Sequence, residues 1–451
     1  SVVGEVSKLF ACYKYVKLDD FNAVGRRQSL RSRMNQPFSS SRKLQVMKGS
    51  CCSSPYRLWQ LLLFLSLIAT CCSALQTGET CSSNGQCDSG LVCYSCGAGE
   101  MTQSRCTRIK PLKPASKVKG LPFNKYSWLT THNSFALFGA KSPLGSPLFT
   151  SFNQEDSITN QLNNGVRGLM LDMYDFNDNI WLCHSLAGKC YNFTAFQPAI
   201  GVLKEIEQFL AGNPSEIVTI FIEDYVESPK GLSNLFDSSG LNRFRFPANQ
   251  MPTEGDWPTI DDMVRKNQRL VVFTSKRDKE AAEGVAYTWK YVVENQYGDD
   301  GMVTGSCLNR AESVGLDTRA ASLFLVNYFH TNPNRSSACV DNSEPLMDTI
   351  GTCTVAAQRW PNFIAVDFYQ SDGGAAAAVD KANGKLTCGC DSVAYCVENS
   401  PGTCNVPKIS PPQAPPANKM NSLTRSNDTS AAHILVFWCL PSVFVAIFLL
   451  F

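Results

Sequence analysis

YSWLTTHNSF at 126–135 and GVRGLMLDMYDFNDNIWLCHS at 165–185 are the stretches on which the reading of this 451-residue chain turns. Both contain apolar runs of strand length. His132 follows the first run, His184 follows the run Ile180–Cys183, and Asp172 closes Val166–Leu171 between them. The chain has four histidines, so two of them at strand ends within one short region is informative. Paired imidazoles at such positions suit acid–base chemistry, because one ring takes a proton while the other gives one near neutral pH.

Working outward, strand-length apolar runs recur at Tyr126–Thr130, Val166–Met173, Ile180–Cys183, Glu216–Ile222, Leu270–Thr274, Leu323–Phe329 and Phe363–Phe368. Most are continuous rather than alternating, which predicts strands covered on both faces, as in a parallel sheet. Helical stretches separate them: Ser157–Asn164, Phe196–Leu210, Thr259–Asn267, Thr352–Trp360 and Gly374–Lys381. The second carries an apolar stripe of Ile200, Leu203, Ile206, Phe209 and Leu210 and is stopped by Gly212-Asn213-Pro214. This alternation predicts an α/β fold, a TIM-type (β/α) barrel with irregular parts, over residues 119–386. A doubly wound open sheet is the alternative. The barrel is preferred because His132, Asp172, His184, Glu223, Lys276 and Asp367 fall at or just past the ends of different strands. In a barrel, those ends converge on one mouth.

The flanks speak of secretion. Residues 1–46 are basic, irregular and unassigned. From Met47 to Ala74 a Lys and an Arg precede the apolar run Leu58–Ala69 and the small residues Cys72-Ser73-Ala74, the layout of a signal peptide. At the other end, the Pro/Ser-rich stretch 407–430 leads to an apolar tail, 431–451, which predicts a GPI-attachment signal rather than a membrane-spanning helix. The expected location is the extracellular face of the plasma membrane. Fourteen cysteines from Cys81 to Cys404 imply disulfides. Five of them sit in a Cys-rich N-terminal module, 75–118, and four in a C-terminal segment, 387–406. Five is odd, so one bridge is expected to leave the first cluster. Cys93 and Cys96 have metal-site spacing, but no histidine lies nearby to complete one. Asn192-Phe193-Thr194 and Asn334-Arg335-Ser336 are glycosylation sequons. The formal charge of +2 gives no sign of a nucleic-acid partner.

THNSF, GVRGLMLDMY with WLCHS, and TIFIEDY at 219–225 resemble the X-type catalytic domain of phosphatidylinositol-specific phospholipase C (PI-PLC), over roughly Lys119–Lys385. With both terminal signals and the Cys-rich front, the whole is similar to plant GPI-anchored proteins carrying that domain. The resemblance implies a phosphoric diester hydrolase acting on phosphatidylinositol-type lipids through a cyclic inositol phosphate. It implies His132 as general base, His184 as general acid and Asp367 as the carboxylate orienting the base.

It also raises calcium. Calcium-dependent members hold the ion with an Asn after the first His, a Glu-x-Asp on the next strand and a later Glu. Asn133, Asp172 and Glu223 match three of these, and Met170 stands where the fourth, the Glu of Glu-x-Asp, is expected. Metal-independent bacterial members put an Arg where Asp172 stands. Calcium takes six to eight oxygens and tolerates waters, so three ligands can still form a weak site. Alternatively, Asp172 and Glu223 orient the histidines or pair with Lys276 or Arg167. Lys276 and Tyr369 are candidate substrate contacts. The bland readings are a solvated lysine in a charged turn and a packing aromatic. His330 is expected to be structural, Arg167 to sit in a buried ion pair, and Trp289 either to line the mouth or to pack. Two rival functions stay open: the same fold acting on another phosphodiester, such as a glycerophosphodiester, and a catalytically silent surface module.

Overall fold

The structure is a computed structural model that describes residues 74–95, 103–184, 188–398 and 400–406. The expected leader, the 1–46 extension, the 407–430 linker and the apolar tail lie outside them. No helix among the described residues is long and apolar enough to cross a membrane.

The strands of the main sheet, in chain order, are β1 (Trp128–Thr131), β2 (Gly168–Phe176), β3 (Asn179–Cys183), β4 (Ala195–Pro198), β5 (Val218–Tyr225), β6 (Leu270–Thr274), β7 (Ala286–Tyr287), β8 (Val292–Glu294), β9 (Leu323–Tyr328) and β10 (Phe363–Val366). Eight form one all-parallel path in the order β8-β9-β10-β1-β2-β5-β6-β7. That order settles barrel against open sheet. Each strand pairs with the next along the path, and the last, β10, pairs with the first, β1, as a curled ring requires and a switch-point sheet does not. The ladder is interrupted between β7 and β8, where the single-turn helix α6 (Thr288–Tyr291) joins them.

The remaining helices are α1 (Ile158–Asn163), α2 (Ala199–Gly212), α3 (Gly231–Ser239), α4 (Ile260–Arg265), α5 (Asp278–Glu283), α7 (Arg335–Asp341), α8 (Glu344–Ala357) and α9 (Gly374–Thr387). The α2 helix starts later than its stripe suggested, because residues 195–198 are taken by β4. After β8 the chain runs from 295 to 322 without an α-helix.

The continuous apolar runs are buried on both faces, and alternate residues feed two cores. Leu270 and Val272 of β6, and Ile364 and Val366 of β10, pack outward under α2, α3, α8 and α9. Val271 and Phe273, and Phe363 and Ala365, point into the barrel with Phe123, Tyr126 and Phe221. Phe221 meets the Phe363 ring edge-on at 5.0 Å and stacks on Phe273 at 5.3 Å. Burying each such side chain contributes about 1.5–3 kcal/mol. These aromatics fill the barrel, so only its upper end is left for a ligand.

The Cys-rich front is a two-stranded ribbon, Val92–Tyr94 with Arg105–Thr107, carrying Cys81–Cys93 and Cys87–Cys106. Cys93 is therefore in a disulfide; Cys96, its CxxC partner, lies outside the described residues. The ribbon is docked on the barrel. Arg108 reaches the buried Asp380 of α9 at 2.5 Å, and the Leu112 N–H donates to the same carboxylate at 2.8 Å. Gly373, at φ +71°, lies so close that an added Cβ would sit 2.3 Å from Thr107 Oγ1. The C-terminal cysteines pair among themselves, Cys388–Cys396 and Cys390–Cys404. Cys183–Cys190 and Cys307–Cys353 complete the bridges with both partners assigned, and Cys339 is also disulfide-bonded.

Candidate active site

Three neighbouring strands bring these side chains together: Asp367 and His132 directly follow β10 and β1, and Asp172 lies midway along β2. His132 Nδ1 lies 2.9 Å from Asp367 Oδ1, and Asn153 Nδ2 donates to that same oxygen at 2.9 Å. Asn153 Nδ2 is also 3.2 Å from His132 Nδ1. Two donors cannot bond each other, so both protons go to the carboxylate, which places the His132 hydrogen on Nδ1 and leaves Nε2 a free acceptor. Phe329 backs the ring, stacked at 3.6 Å and 6°. Gln154 Nε2 fixes the backbone beneath by donating to the carbonyls of His132, at 2.9 Å, and Val366, at 3.0 Å.

His184 arrives differently. It follows β3, which is antiparallel to β2, not one of the parallel strands. β2 overshoots the rim and β3 brings the chain back: Met173 pairs with Leu182, which returns residue 184 to the level of Leu171, next to Asp172. Its Nδ1 donates to the Ser151 carbonyl at 3.0 Å, again leaving Nε2 free. The His184 N–H donates to Thr194 O at 3.1 Å, and the preceding Cys183 is bonded to Cys190. Burial lowers the His184 pKa, and the nearby His132 acts in the same direction. The Ser151 carbonyl, Asp367 and Glu223 oppose this. The two imidazoles therefore share one electrostatic neighbourhood.

Asp172 and Glu223 are register partners on β2 and β5. Burial first, and then the Glu223 charge, push the Asp172 carboxyl well above its usual range. Glu223 accepts a hydrogen bond from Tyr225, whose phenol is pushed up by burial and by that carboxylate. Asn133 adopts φ +40°, a left-handed conformation that Asn tolerates better than most residues. With its amide turned to donate, its nitrogen lies 3.0 and 3.2 Å from the two Asp172 oxygens. With the amide reversed, its oxygen faces those two oxygens, an arrangement satisfied by a cation between them or by a proton on Asp172. Asn133, Asp172 and Glu223 thus offer a hard-oxygen set suited to a divalent ion. Met170 lines the same pocket and adds no charge to that set.

His132, Asp172, Glu223 and Phe329 line a pocket above the aromatic barrel filling, with Phe221 in its floor. Trp289 lines it too. Its far wall holds Arg310, which sequence reading missed. Arg310 pairs with buried Glu294 at 2.9 Å. Burial alone would lower its pKa, but Glu294 and Glu312 outweigh that and hold the guanidinium charged. Asn153 was missed as well. Both residues lie in long irregular segments where no periodicity marks them.

Two proposed substrate contacts fall elsewhere. Tyr369 is buried, 1% exposed, and donates to Asp156 at 2.6 Å, because the left-handed Phe368 (φ +44°) turns the chain from the rim into the core. Lys276 is exposed and absent from the pocket wall, although its neighbour Ser275 lines it. Arg167 forms the anticipated ion pair, 2.9 Å from Glu216. His330 bridges Asp299 at 2.6 Å and Asp341 at 3.2 Å. Burial lowers its pKa, but the two carboxylates prevail and raise it.

The PI-PLC X domain family model (PI-PLC X 1) matches residues 123–383. A PI-PLC X domain-containing protein of Arabidopsis thaliana is 52% identical over 357 residues, covering 78% of this chain and 83% of that protein. A PI-PLC X domain-containing protein 1 of Arthroderma benhamiae is 26% identical over 54% of this chain and 81% of its own length. Among solved structures, the phosphatidylinositol-specific phospholipase C from Listeria monocytogenes aligns with 57% of this chain and 94% of its own, at 19% identity and a TM-score of 0.40.

Proposed function

The chain belongs to the PI-PLC X domain family, and from that premise we propose that it is a phosphodiesterase cleaving inositol phospholipids by paired histidine catalysis. His132 Nε2 takes the proton of the inositol 2-hydroxyl, whose oxygen attacks phosphorus. The bond to the diacylglycerol oxygen breaks, and His184 delivers a proton from Nε2 to that leaving oxygen. The products are a cyclic inositol phosphate and diacylglycerol. One observation carries this reading: both rings are anchored through Nδ1, by Asp367 and by the Ser151 carbonyl, so both present Nε2. If a divalent ion binds, Asn133, Asp172 and Glu223 hold it, and it supplies positive charge against the phosphoryl oxygens.

The six disulfides with both partners assigned support an oxidising compartment. With the terminal patterns they support a GPI-anchored protein on the outer face of the plasma membrane. The carbon–hydrogen wall that Met170 presents beside Asp172 favours a second reading, a silent module that binds its ligand without cleaving it.

The deciding experiment incubates purified protein with phosphatidylinositol vesicles, in calcium or in chelator, and measures water-soluble inositol phosphate beside His132→Ala. Release that the substitution abolishes is expected. Equal release by the variant removes the mechanism. No release from any phosphodiester leaves the binding module.

A further inference from the structure

A phosphodiester is an anion, yet the pocket wall carries three carboxylates, Asp172, Glu223 and Glu294. Among the described residues lining it, Arg310 is the only permanent cation. Arg310 comes from the helix-free segment 295–322 and is held from several sides. Its Nη1 donates to Glu294 Oε1 at 2.9 Å and its Nε to Glu312 Oε2 at 3.1 Å. The guanidinium carbon lies 4.9 Å from the Trp289 ring centroid and 4.7 Å from that of Tyr297. Glu294 is itself fixed by Asn327 Nδ2 at 2.8 Å and Trp289 Nε1 at 2.9 Å.

A guanidinium has five N–H donors in a rigid fork. Glu294 and Glu312 occupy two edges of this one. Nη2 has no hydrogen-bond partner among the described residues, and the side chain is 16% exposed, on the wall of the pocket. A purely structural ion pair has no need to leave a donor pair over on the wall of a cavity that also holds His132.

We propose that Arg310 is the oxyanion-recognition residue of this pocket, with its Nη2 hydrogens contacting a non-bridging oxygen of the bound phosphate ester. The proposal rests on the phosphodiesterase reading for its substrate but not for its test. The carboxylates and aromatic rings act as the mount, and Arg rather than Lys is needed because only a planar fork keeps one edge free while two are occupied.

The test is calorimetric titration of the full-length protein with inorganic phosphate and, separately, with myo-inositol 1-phosphate. Wild type is compared with Arg310→Lys and Lys276→Gln, and thermal melts are run in parallel. R310K is expected to weaken binding of both probes about tenfold or more, since Lys cannot reproduce the fork. K276Q removes an exposed cation that is not in the pocket wall and is expected to bind within about twofold of wild type; weakening equal to that of R310K would overturn the proposal. Weakening for the inositol ester alone would mean that Arg310 reads the ring and not the oxyanion, and would overturn the proposal. R310K that melts and binds like wild type would do the same. Should R310K not fold, Tyr297→Ala is the substitute. Tyr297 is 44% exposed, so its removal frees one face of the guanidinium and spares the core. Unchanged binding in that variant also overturns the proposal. Arg310-dependent binding without lipid cleavage would sink the enzymatic reading and leave this one standing. Lipid cleavage with Arg310-independent binding would do the reverse.

Discussion

His132 and His184 leave the same ring atom free and share one electrostatic neighbourhood, but they are held by differently built parts of the rim: His132 lines the pocket, and His184 is not in its wall. His132 stands on a parallel strand inside a network of neighbours: Asp367 and Asn153 on its edge, Phe329 on its face, Gln154 beneath its backbone. His184 stands on a strand that doubles back outside the ring. It is held by one carbonyl and by a disulfide at the residue before it. The first side is fixed by packing that the barrel provides in any case. The second is an excursion that pairs with the overhang of β2 on one side and the short β4 on the other, and a disulfide ties its end.

The largest expected effect separates the two rings by leaving group. His132→Ala and His184→Ala should each lower lipid cleavage about 10³-fold, the scale of a lost general acid or base. An inositol aryl phosphodiester has a leaving group that departs without a proton, so His184→Ala should keep most of its rate there and His132→Ala should not. Equal losses on both substrates would erase the distinction between base and acid. Next, Asp367→Asn should lower kcat about 10²-fold at constant KM, because the base loses the group that fixes its tautomer.

A smaller effect belongs to the excursion. Replacing Cys183 and Cys190 together by Ala should cost about tenfold in kcat on lipid and little on the aryl ester, since slight misplacement of an acid is costly only where the acid is needed. A loss shared by both substrates would show that the bridge supports the whole site and not one side. The pH profile sharpens the same contrast. The His184 pKa is lowered, so its protonated form is present below that value and is lost as pH rises through it. The alkaline limb for lipid cleavage should therefore lie below the ordinary histidine value of about 6.5 and be absent with the aryl ester. The smallest effect is on stability. Calcium should raise the melting temperature of wild type by a few degrees and leave Asp172→Asn unmoved. No shift in wild type would remove the ion from the site.

The barrel was legible because its strands are buried on both faces and so write continuous apolar runs; β5, β6, β9 and β10 all fell where those runs lie. The two-residue β7 and three-residue β8 are too short to leave such a signature. His132 was readable because it follows a strand, and Asp172 because it closes an apolar run, although its strand continues to Phe176. His184 was readable for the same reason as His132, although its strand runs the other way. Asn153 and Arg310 were not, since their positions depend on where 133–157 and 295–322 fold back, and no periodicity encodes that. Tyr369 was misplaced because a single left-handed residue redirects the chain after Asp367.

The clasp between the front ribbon and α9 bears on how the protein can be divided. The family-matched segment begins at residue 123, so a fragment trimmed to it loses Arg108 and the Leu112 N–H. Asp380, only 2% exposed, would then be an interior carboxylate with neither its countercharge nor that donor. The helix bearing it packs against the strands that carry His132 and Asp367. The smallest piece worth purifying is therefore longer than the domain that names the family, and it starts with the cysteine ribbon.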